Sequence, residues 1–227
     1  MRTKTLLLTA ALSAAGVASS MAQVYSVNAV GYYTININNG IELIANQLNT
    51  GGNTLDEVVK DAPSASFLYK FDNTHGYVSW ENFGSPGSPQ WIGGDLPLGG
   101  ALPSVLAPGE GAFLAVPSPT TLTFVGEVPQ GNLATAILAG GQIISSKVPQ
   151  AGGVTSVLEW GPSGAEGADG SFIYLFDGSV AVPTYDLDDE YFVDSGWIND
   201  RTLAVGQAVF LQSTAAKTWS RTFSVNP

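Results

Sequence analysis

The sequence has no cysteine and a single histidine, His75, among its 227 residues. Without cysteine there are no disulfides, thiolate metal sites or cysteine nucleophiles, so the fold must rest on apolar burial or on bound metal ions. A zinc site needs three or four His, Cys or carboxylate ligands, and a single histidine is a poor basis for such a set. The chain also lacks a Gly-x-Ser-x-Gly nucleophile motif and a phosphate-binding loop. We therefore predict no catalytic residues, no cofactor-binding residues and no metal ligands.

Positive charge is also scarce. The sequence has 8 Lys and Arg residues against 19 Asp and Glu residues, which gives a net charge of −11. Nucleic acids and anionic lipids are poor partners for such a chain, because both require a cationic surface that displaces counterions. No segment after residue 22 has the length and uniform apolarity of a membrane helix. We predict no nucleic-acid partner and no membrane span in the mature protein.

The first 22 residues have the pattern of a signal peptide. Arg2 and Lys4 precede an apolar run over residues 5–17, and Ser20 and Ala22 put small residues at the positions that signal peptidase recognises. The apolar run is too short to cross a bilayer. Cleavage after Ala22 would remove both early cations and change the net charge from −11 to −13. We expect a mature protein that is secreted or held in the cell envelope, in a periplasmic or extracellular location.

The chain repeats itself. The heptapeptide SFLYKFD at residues 66–72 returns as SFIYLFD at residues 171–177. The offset between matching residues falls from 106 at Trp91 and Trp197 to 97 at Leu106 and Leu203, so the first copy holds nine additional residues, placed in a loop over residues 93–105. The other matches are Gly40 with Gly140, residues 43–48 with 143–148, and Thr123-Phe124 with Thr222-Phe223. We predict two copies, at residues 28–130 and 131–227.

Within each copy the pattern favours strands. Residues 33–38 alternate apolar and polar side chains and meet Asn39-Gly40, a strong hairpin signal, so residues 41–48 are predicted to return as the paired strand. The exception is residues 54–59, where Thr54 and Glu57 predict a capping box and a short helix. The predicted fold is all-β, with two tandem homologous β-sandwich or small barrel-like domains and little helix. The remaining predicted strands are residues 67–71, 112–116, 122–128, 208–212 and 219–225.

The order of these segments resembles that of a known repeat. The order LIANQLN, FLYKFD, LAPGEGAFL and TFVGEV is similar to a repeat of secreted bacterial proteins, in which an NLIxNPL-type strand and a PGxGFF-type strand mark each module. The resemblance implies an extracellular or cell-envelope β-module and no assigned reaction. The second copy departs from it, with Ser-Ser-Lys at residues 145–147 and Gly-Gln-Ala at residues 206–208. A ligand site built on those positions would differ between the copies.

Two polar features are candidates for chemistry. His75 follows Asp72-Asn73-Thr74 on a predicted turn, and an exposed turn histidine without a chemical role is favoured over a general base. The acidic run over residues 186–190, with Asp194 and Asp200, suits a Ca²⁺ ion, although it lacks the spacing of an EF-hand loop. We favour a solvated acidic loop over a calcium site from Asp186 to Asp194.

Aromatic residues are the remaining candidates for recognition. Trp91 and Trp197 occupy matching places, which favours a shared core over a shared ligand contact. The offset of 105 residues pairs Trp80 with Tyr185. Trp160 and Trp219 have no aromatic counterpart and are the better candidates for surface roles, where flat rings can stack on sugars.

The sequence favours a secreted noncatalytic structural or adhesive β-module of the cell envelope or extracellular space. The first alternative is a carbohydrate-binding module, and the second is a carboxylate-dependent glycosidase, which requires two carboxylates and no histidine. The expected partners are polysaccharides or other envelope proteins. Unpaired strand edges also predict association between copies of the chain.

Overall fold

The protein is almost entirely β. The computed structural model describes residues 29–38, 40–97, 99–161, 168–178, 184–192 and 196–225, without the side chains of residues 186–188. The predicted signal peptide over residues 1–22 and Asn39 lie outside the described residues. Within them, strands form several antiparallel sheets, and α1 (Leu55–Val58) is a single short helix. The all-β fold class with little helix is therefore confirmed.

The strands of the first half form a two-stranded ribbon and a five-stranded sheet. In the ribbon β1 (Val30–Ile37) pairs with β7 (Thr120–Glu127). The sheet has the order β2-β6-β3-β4-β5. Its strands are β2 (Ile41–Ala45), β3 (Phe67–Asp72), β4 (Gly76–Asn82), β5 (Trp91–Gly93) and β6 (Gly111–Ala115).

The second half uses the same pairing order. Its ribbon pairs β8 (Gly131–Ile137) with β16 (Lys217–Phe223), and its sheet has the order β9-β15-β11-β12-β13. A further two-stranded pair joins β10 (Gly152–Gly153) to β14 (Thr202–Leu203). The sheet strands are β9 (Gly140–Ile144), β11 (Ser171–Asp177), β12 (Thr184–Phe192), β13 (Gly196–Trp197) and β15 (Val209–Ser213).

The predicted hairpin at Asn39-Gly40 is wrong. Strand β1 pairs with β7 and β2 pairs with β6, so the two neighbouring strands belong to different sheets. Gly40 has a φ of +86°, and its carbonyl accepts a hydrogen bond from the Val116 amide at 2.7 Å. The chain bends at Gly40. The segment that follows Val116 contains Pro117 and Pro119, which have no amide hydrogen to donate.

The predicted turn at Asp72-Asn73-Thr74-His75 is confirmed, and it closes a hairpin in the first half. Strands β3 and β4 pair from Phe67–Glu81 to Asp72–Gly76, and only residues 73–75 connect them. The equivalent β11 and β12 also pair, but residues 178–183 lie between them, so their connection is longer than a two-residue turn. The predicted capping box at α1 is present, with the Glu57 carboxylate accepting from the Thr54 amide at 3.3 Å.

The strand register corrects one predicted equivalence. Tyr77 lies opposite Phe71 and Tyr185 lies opposite Phe176, so Tyr77 and not Trp80 corresponds to Tyr185. A register shift between Leu175 and Phe176 contributes to the changed spacing on that strand pair. Trp80 is almost fully buried, whereas Tyr185 is 40% exposed.

Each half has its own apolar core. The first core packs Trp80 and Trp91 with Leu and Val side chains from α1 and the sheet. The second packs Trp160, Trp197 and Trp219 together. The predicted core role of Trp91 and Trp197 is confirmed, because both side chains are buried. The predicted surface role of Trp160 and Trp219 is wrong, since both are buried and their rings stack with centroids 4.5 Å apart.

Candidate functional site

The two halves meet through reciprocal backbone contacts. Ile44 forms an isolated β-bridge with Gln207, and Ile144 forms one with Glu110. Ile44 and Ile144 hold the same place in their sheets, as the strand registers show. Each half therefore offers the same pair of segments to the other, which is the arrangement of an isologous interface.

Hydrogen bonds at this join follow the same reciprocity. The Ala45 amide donates to the Gly206 carbonyl at 2.7 Å, and the Ser145 amide donates to the Gly109 carbonyl at 2.9 Å. In addition, the side-chain oxygen of Gln47 accepts a hydrogen bond from the Gly206 amide at 2.8 Å. Backbone pairing of this kind fixes the register of the two halves against each other.

A shared core lies beneath these contacts. Two edge-to-face aromatic pairs cross the join, with Phe113 and Phe176 centroids 4.9 Å apart and Phe71 and Phe210 centroids 5.0 Å apart. Burial of this apolar surface stabilises the join in addition to its hydrogen bonds. The buried members of the shared core are Leu43, Ala45, Phe113, Ile143, Phe176 and Ala208.

The join leaves a cleft at one side that we call the acidic cleft. It has a volume of about 390 Å³, and Glu42 and Asp177 line it together with apolar residues that include Ile35 and Val205. Burial raises the pKa of the Glu42 carboxyl, hydrogen bonding to the Leu43 amide opposes this change, and the charge of Asp177 adds to it. Two carboxylates facing one cleft are what the glycosidase alternative requires, and that alternative stays a prediction.

A second cleft, which we call the basic cleft, has a volume of about 370 Å³. Lys70, Lys147, Gln142 and Glu110 are among its lining residues. The Lys70 ammonium forms an ion pair with the Glu110 carboxylate at 3.0 Å and also donates to the Val105 carbonyl at 3.0 Å. The cleft therefore combines two cations, one anion and one amide.

The two clefts occupy corresponding places. Gln142 in the basic cleft takes the sheet position of Glu42 in the acidic cleft. Glu42 lies opposite Leu114 on β6, and Gln142 lies opposite the equivalent Leu211 on β15. Lys70 takes the position of Leu175, because each directly follows a tyrosine, Tyr69 or Tyr174, that lies opposite the equivalent phenylalanine of the next strand. Equivalent surfaces of the two halves thus carry opposite charge. The sequence showed these substitutions but not that they converge on a cleft.

His75 lies on the predicted turn. Its Nδ1 is 2.7 Å from the Asp72 carboxylate, and the pair is partly buried. Burial raises the pKa of Asp72, but hydrogen bonds from the His75 side chain and from the Thr74 and His75 amides outweigh this effect and lower it. These contacts tie the turn together, and His75 lines neither cleft.

The acidic run over residues 186–190 lies on strand β12, so the prediction of a solvated loop is wrong for these residues. Asp194 and the side chains of residues 186–188 lie outside the described part. The Asp189 carboxylate is 3% exposed and accepts from the Asn199 amide at 3.0 Å, so it stabilises the turn after β13. The Asp200 carboxylate accepts from the Thr155 amide at 2.8 Å. In the described residues no group of three or more His, Cys, Asp or Glu side chains is placed to hold a metal ion, and the calcium alternative stays a prediction.

No family model, curated protein or solved structure gives a significant match to this chain.

One ribbon carries an exposed apolar face. Tyr32 on β1 is 79% exposed, and it lies opposite the exposed Val125 on β7. On the second ribbon Asn132 lies opposite Thr222, and their side chains hydrogen-bond to each other at 2.9 Å. Asn132 corresponds to Tyr32 by the same offset of 100 that relates Gly140 to Gly40, so Thr222 holds the place of Val125 and its predicted match with Thr123 is wrong. Only the first ribbon therefore presents an aromatic ring at this register position. The described residues contain no helix of the length and apolarity that a bilayer crossing requires.

Proposed function

We propose that the protein is a secreted, noncatalytic structural or adhesive β-module of the cell envelope or extracellular space, built from two copies of one ancestral unit. The observation that carries the proposal is the reciprocal join, which unites both halves through backbone bridges and one shared core. Such a join holds the two halves in a fixed register, which suits a structural role. The sequence resemblance to repeats of secreted proteins also supports it.

The duplication is supported by equivalent surroundings of equivalent residues. Tyr69 on β3 lies opposite Phe113, and Tyr174 on β11 lies opposite Phe210. The order of strands around each tyrosine is the same in the two halves. We propose that the predicted boundaries at residues 28–130 and 131–227 separate the two copies, and that each copy is a compact β-domain.

Cell fractionation tests the proposed role. We expect antibody against the protein to detect it in the insoluble envelope or extracellular matrix fraction of the producing cells, because an adhesive module remains attached to other macromolecules. A wash in 1 M NaCl separates charge-mediated attachment from stronger attachment. Recovery of all the protein in the soluble cytoplasmic fraction would contradict the proposal.

The exposed ribbon face favours a carbohydrate-binding module as the second candidate function. A sugar ring can stack on Tyr32, since the phenol buries a flat apolar surface and keeps a polar edge. Asn36 and Thr121, farther along the same ribbon, hydrogen-bond to each other at 2.7 Å and add polar groups beside it. A ligand that lies along the ribbon would meet both kinds of surface.

We expect the Tyr32→Asn variant to lose most polysaccharide affinity, by about tenfold, because stacking of this kind contributes about 1 kcal/mol or slightly more. Isothermal titration against a polysaccharide panel measures it. The variant places on the first ribbon the residue that Asn132 supplies on the second, so the fold should tolerate it. Asn132→Ala is the matched control and should leave the affinity unchanged. Null heats for the whole panel with the wild-type chain would count against this function.

A further inference from the structure

The basic cleft gathers a large share of the few cations in this protein. Two of the 8 Lys and Arg residues of the whole sequence, Lys70 and Lys147, line it. In a chain of net charge −11, such local concentration is not expected from composition. The acidic cleft at the corresponding place has no lysine or arginine among its lining residues.

The two lysines differ in how their charge is balanced. Lys70 is held by the Glu110 carboxylate and the Val105 carbonyl. Lys147 belongs neither to the ion pair of Lys70 with Glu110 nor to that of His75 with Asp72. Lys147 is partly exposed. Its charge is therefore available to a ligand in the cleft.

The backbone of Gly109 positions the Lys147 side chain. A Cβ added at Gly109 would lie 2.8 Å from Cγ of Lys147, which means that the lysine stem rests directly on the glycine. Gly109 also has a φ of +91°, a conformation that other residues rarely adopt. The lysine stem is thus laid along the wall of the cleft.

Gln142 supplies a second donor. Its side chain is more than nine-tenths buried, and its amide oxygen accepts from the Leu138 amide at 2.8 Å. The amide nitrogen is buried and has no acceptor among the described residues. Buried donors are almost always paired, so this nitrogen calls for an acceptor from a ligand or an ordered water.

We propose that the basic cleft binds a carboxylate-bearing saccharide of about one sugar unit, such as a uronic acid. An ammonium and an amide donor together match the two oxygens of a carboxylate. The volume of about 370 Å³ lies within the range of small-ligand sites. Leu138 and Ile143 offer apolar surface to a sugar ring, and Thr135 and Glu110 offer partners to hydroxyl groups. This inference goes beyond the proposed structural or adhesive role and does not depend on it.

Titration of the full mature chain with sodium galacturonate, galactose and sodium acetate tests the proposal. We expect galacturonate to bind at least tenfold more tightly than either of the others, because galactose lacks the carboxylate and acetate lacks the ring. Higher NaCl concentration should weaken galacturonate binding, since the interaction is charge-assisted. Equal affinity for galacturonate and galactose would overturn the proposal, and equal affinity for acetate would reduce the cleft to an adventitious ion site.

Two exchanges at one position provide the matched variants. Lys147→Gln installs the residue that Gln47 supplies in the first half, and we expect it to weaken galacturonate binding about tenfold or more. Lys147→Arg keeps the charge and should retain most of the affinity. Lys60→Gln removes the same charge from an exposed residue outside the cleft and should have no effect. Unchanged binding by Lys147→Gln, or an equal loss in Lys60→Gln, would refute the assignment, and thermal unfolding of each variant verifies that it is folded.

Discussion

Replacing Trp160 by alanine is expected to lower the free energy of unfolding by about 3–5 kcal/mol. The side chain is 0% exposed, its ring stacks on Trp219 at 4.5 Å, and it meets the Trp197 ring edge-to-face at 4.9 Å. Truncation removes the central member of this cluster and leaves a cavity that the rigid strands on either side cannot fill. Urea unfolding of the mature protein, followed by circular dichroism, measures the loss.

Two variants make the Trp160 result specific. Trp160→Phe keeps an aromatic ring in the cluster and should cost clearly less than the alanine variant. Ile198→Ala is the control, because Ile198 follows Trp197 in the chain but is 58% exposed, so its loss should change stability by no more than about 0.5 kcal/mol. A Trp160→Ala protein as stable as the wild type would show that the tryptophan cluster does not support the second core.

Replacing Asn82 by alanine is expected to cost about 3 kcal/mol or more of unfolding free energy. The buried amide nitrogen donates to the Ala62 carbonyl at 2.9 Å and the Pro63 carbonyl at 3.1 Å. The amide oxygen accepts from the Gly84 amide at 2.9 Å and the Gln90 amide at 2.8 Å. Alanine leaves all four backbone groups without this partner, and each buried unpaired group is costly.

The neighbouring residue supplies the control for Asn82. Phe83 is 56% exposed, so Phe83→Ala should change the urea midpoint little. Hydrogen exchange adds a local readout, since the amides of Gly84 and Gln90 should lose protection in Asn82→Ala before the rest of the sheet does. Equal stability of the two variants would show that water replaces the asparagine without cost.

Much of the secondary structure follows from local pattern. The period of two over residues 33–38 predicts a strand, and β1 lies there. The heptapeptide SFLYKFD predicts a strand that ends in a turn, as β3 does at Asp72. Matching tryptophans at Trp91 and Trp197 predict core positions, and both side chains are buried. These features depend on neighbours in sequence, which a single chain displays directly.

Strand pairing and side-chain burial that depend on residues distant in the chain are harder to predict from the sequence. Asn39-Gly40 signals a hairpin, yet β1 and β2 join different sheets, because β1 pairs over its whole length with β7 and β2 pairs over its whole length with β6, both farther along the chain. Trp160 and Trp219 lack aromatic counterparts in the first half, yet they are buried because they stack on each other. Sequence comparison between the halves misses a contact that exists in one half alone.

The two clefts, too, are only partly predictable from the sequence. The exchange of Glu42 for Gln142, and of Gln47 for Lys147, is visible when the halves are aligned. That Glu42 shares a cleft with Asp177, and that Gln142 and Lys147 share one with Lys70, depends on how one half packs against the other. The register of that join is set by backbone bridges and shared apolar burial, neither of which leaves a motif in the sequence.

By itself, the sequence determined the β class, the positions of most strands and the scarcity of cations, because these depend on residue type and on the alternation of near neighbours. The tertiary structure decided which strands pair, which tryptophans are buried and where the charged side chains converge. Strand pairing and the join between the halves arise from packing of residues far apart in the chain, such as Gln47 and Gly206, which are 159 positions apart, and such packing is a property of the whole folded chain.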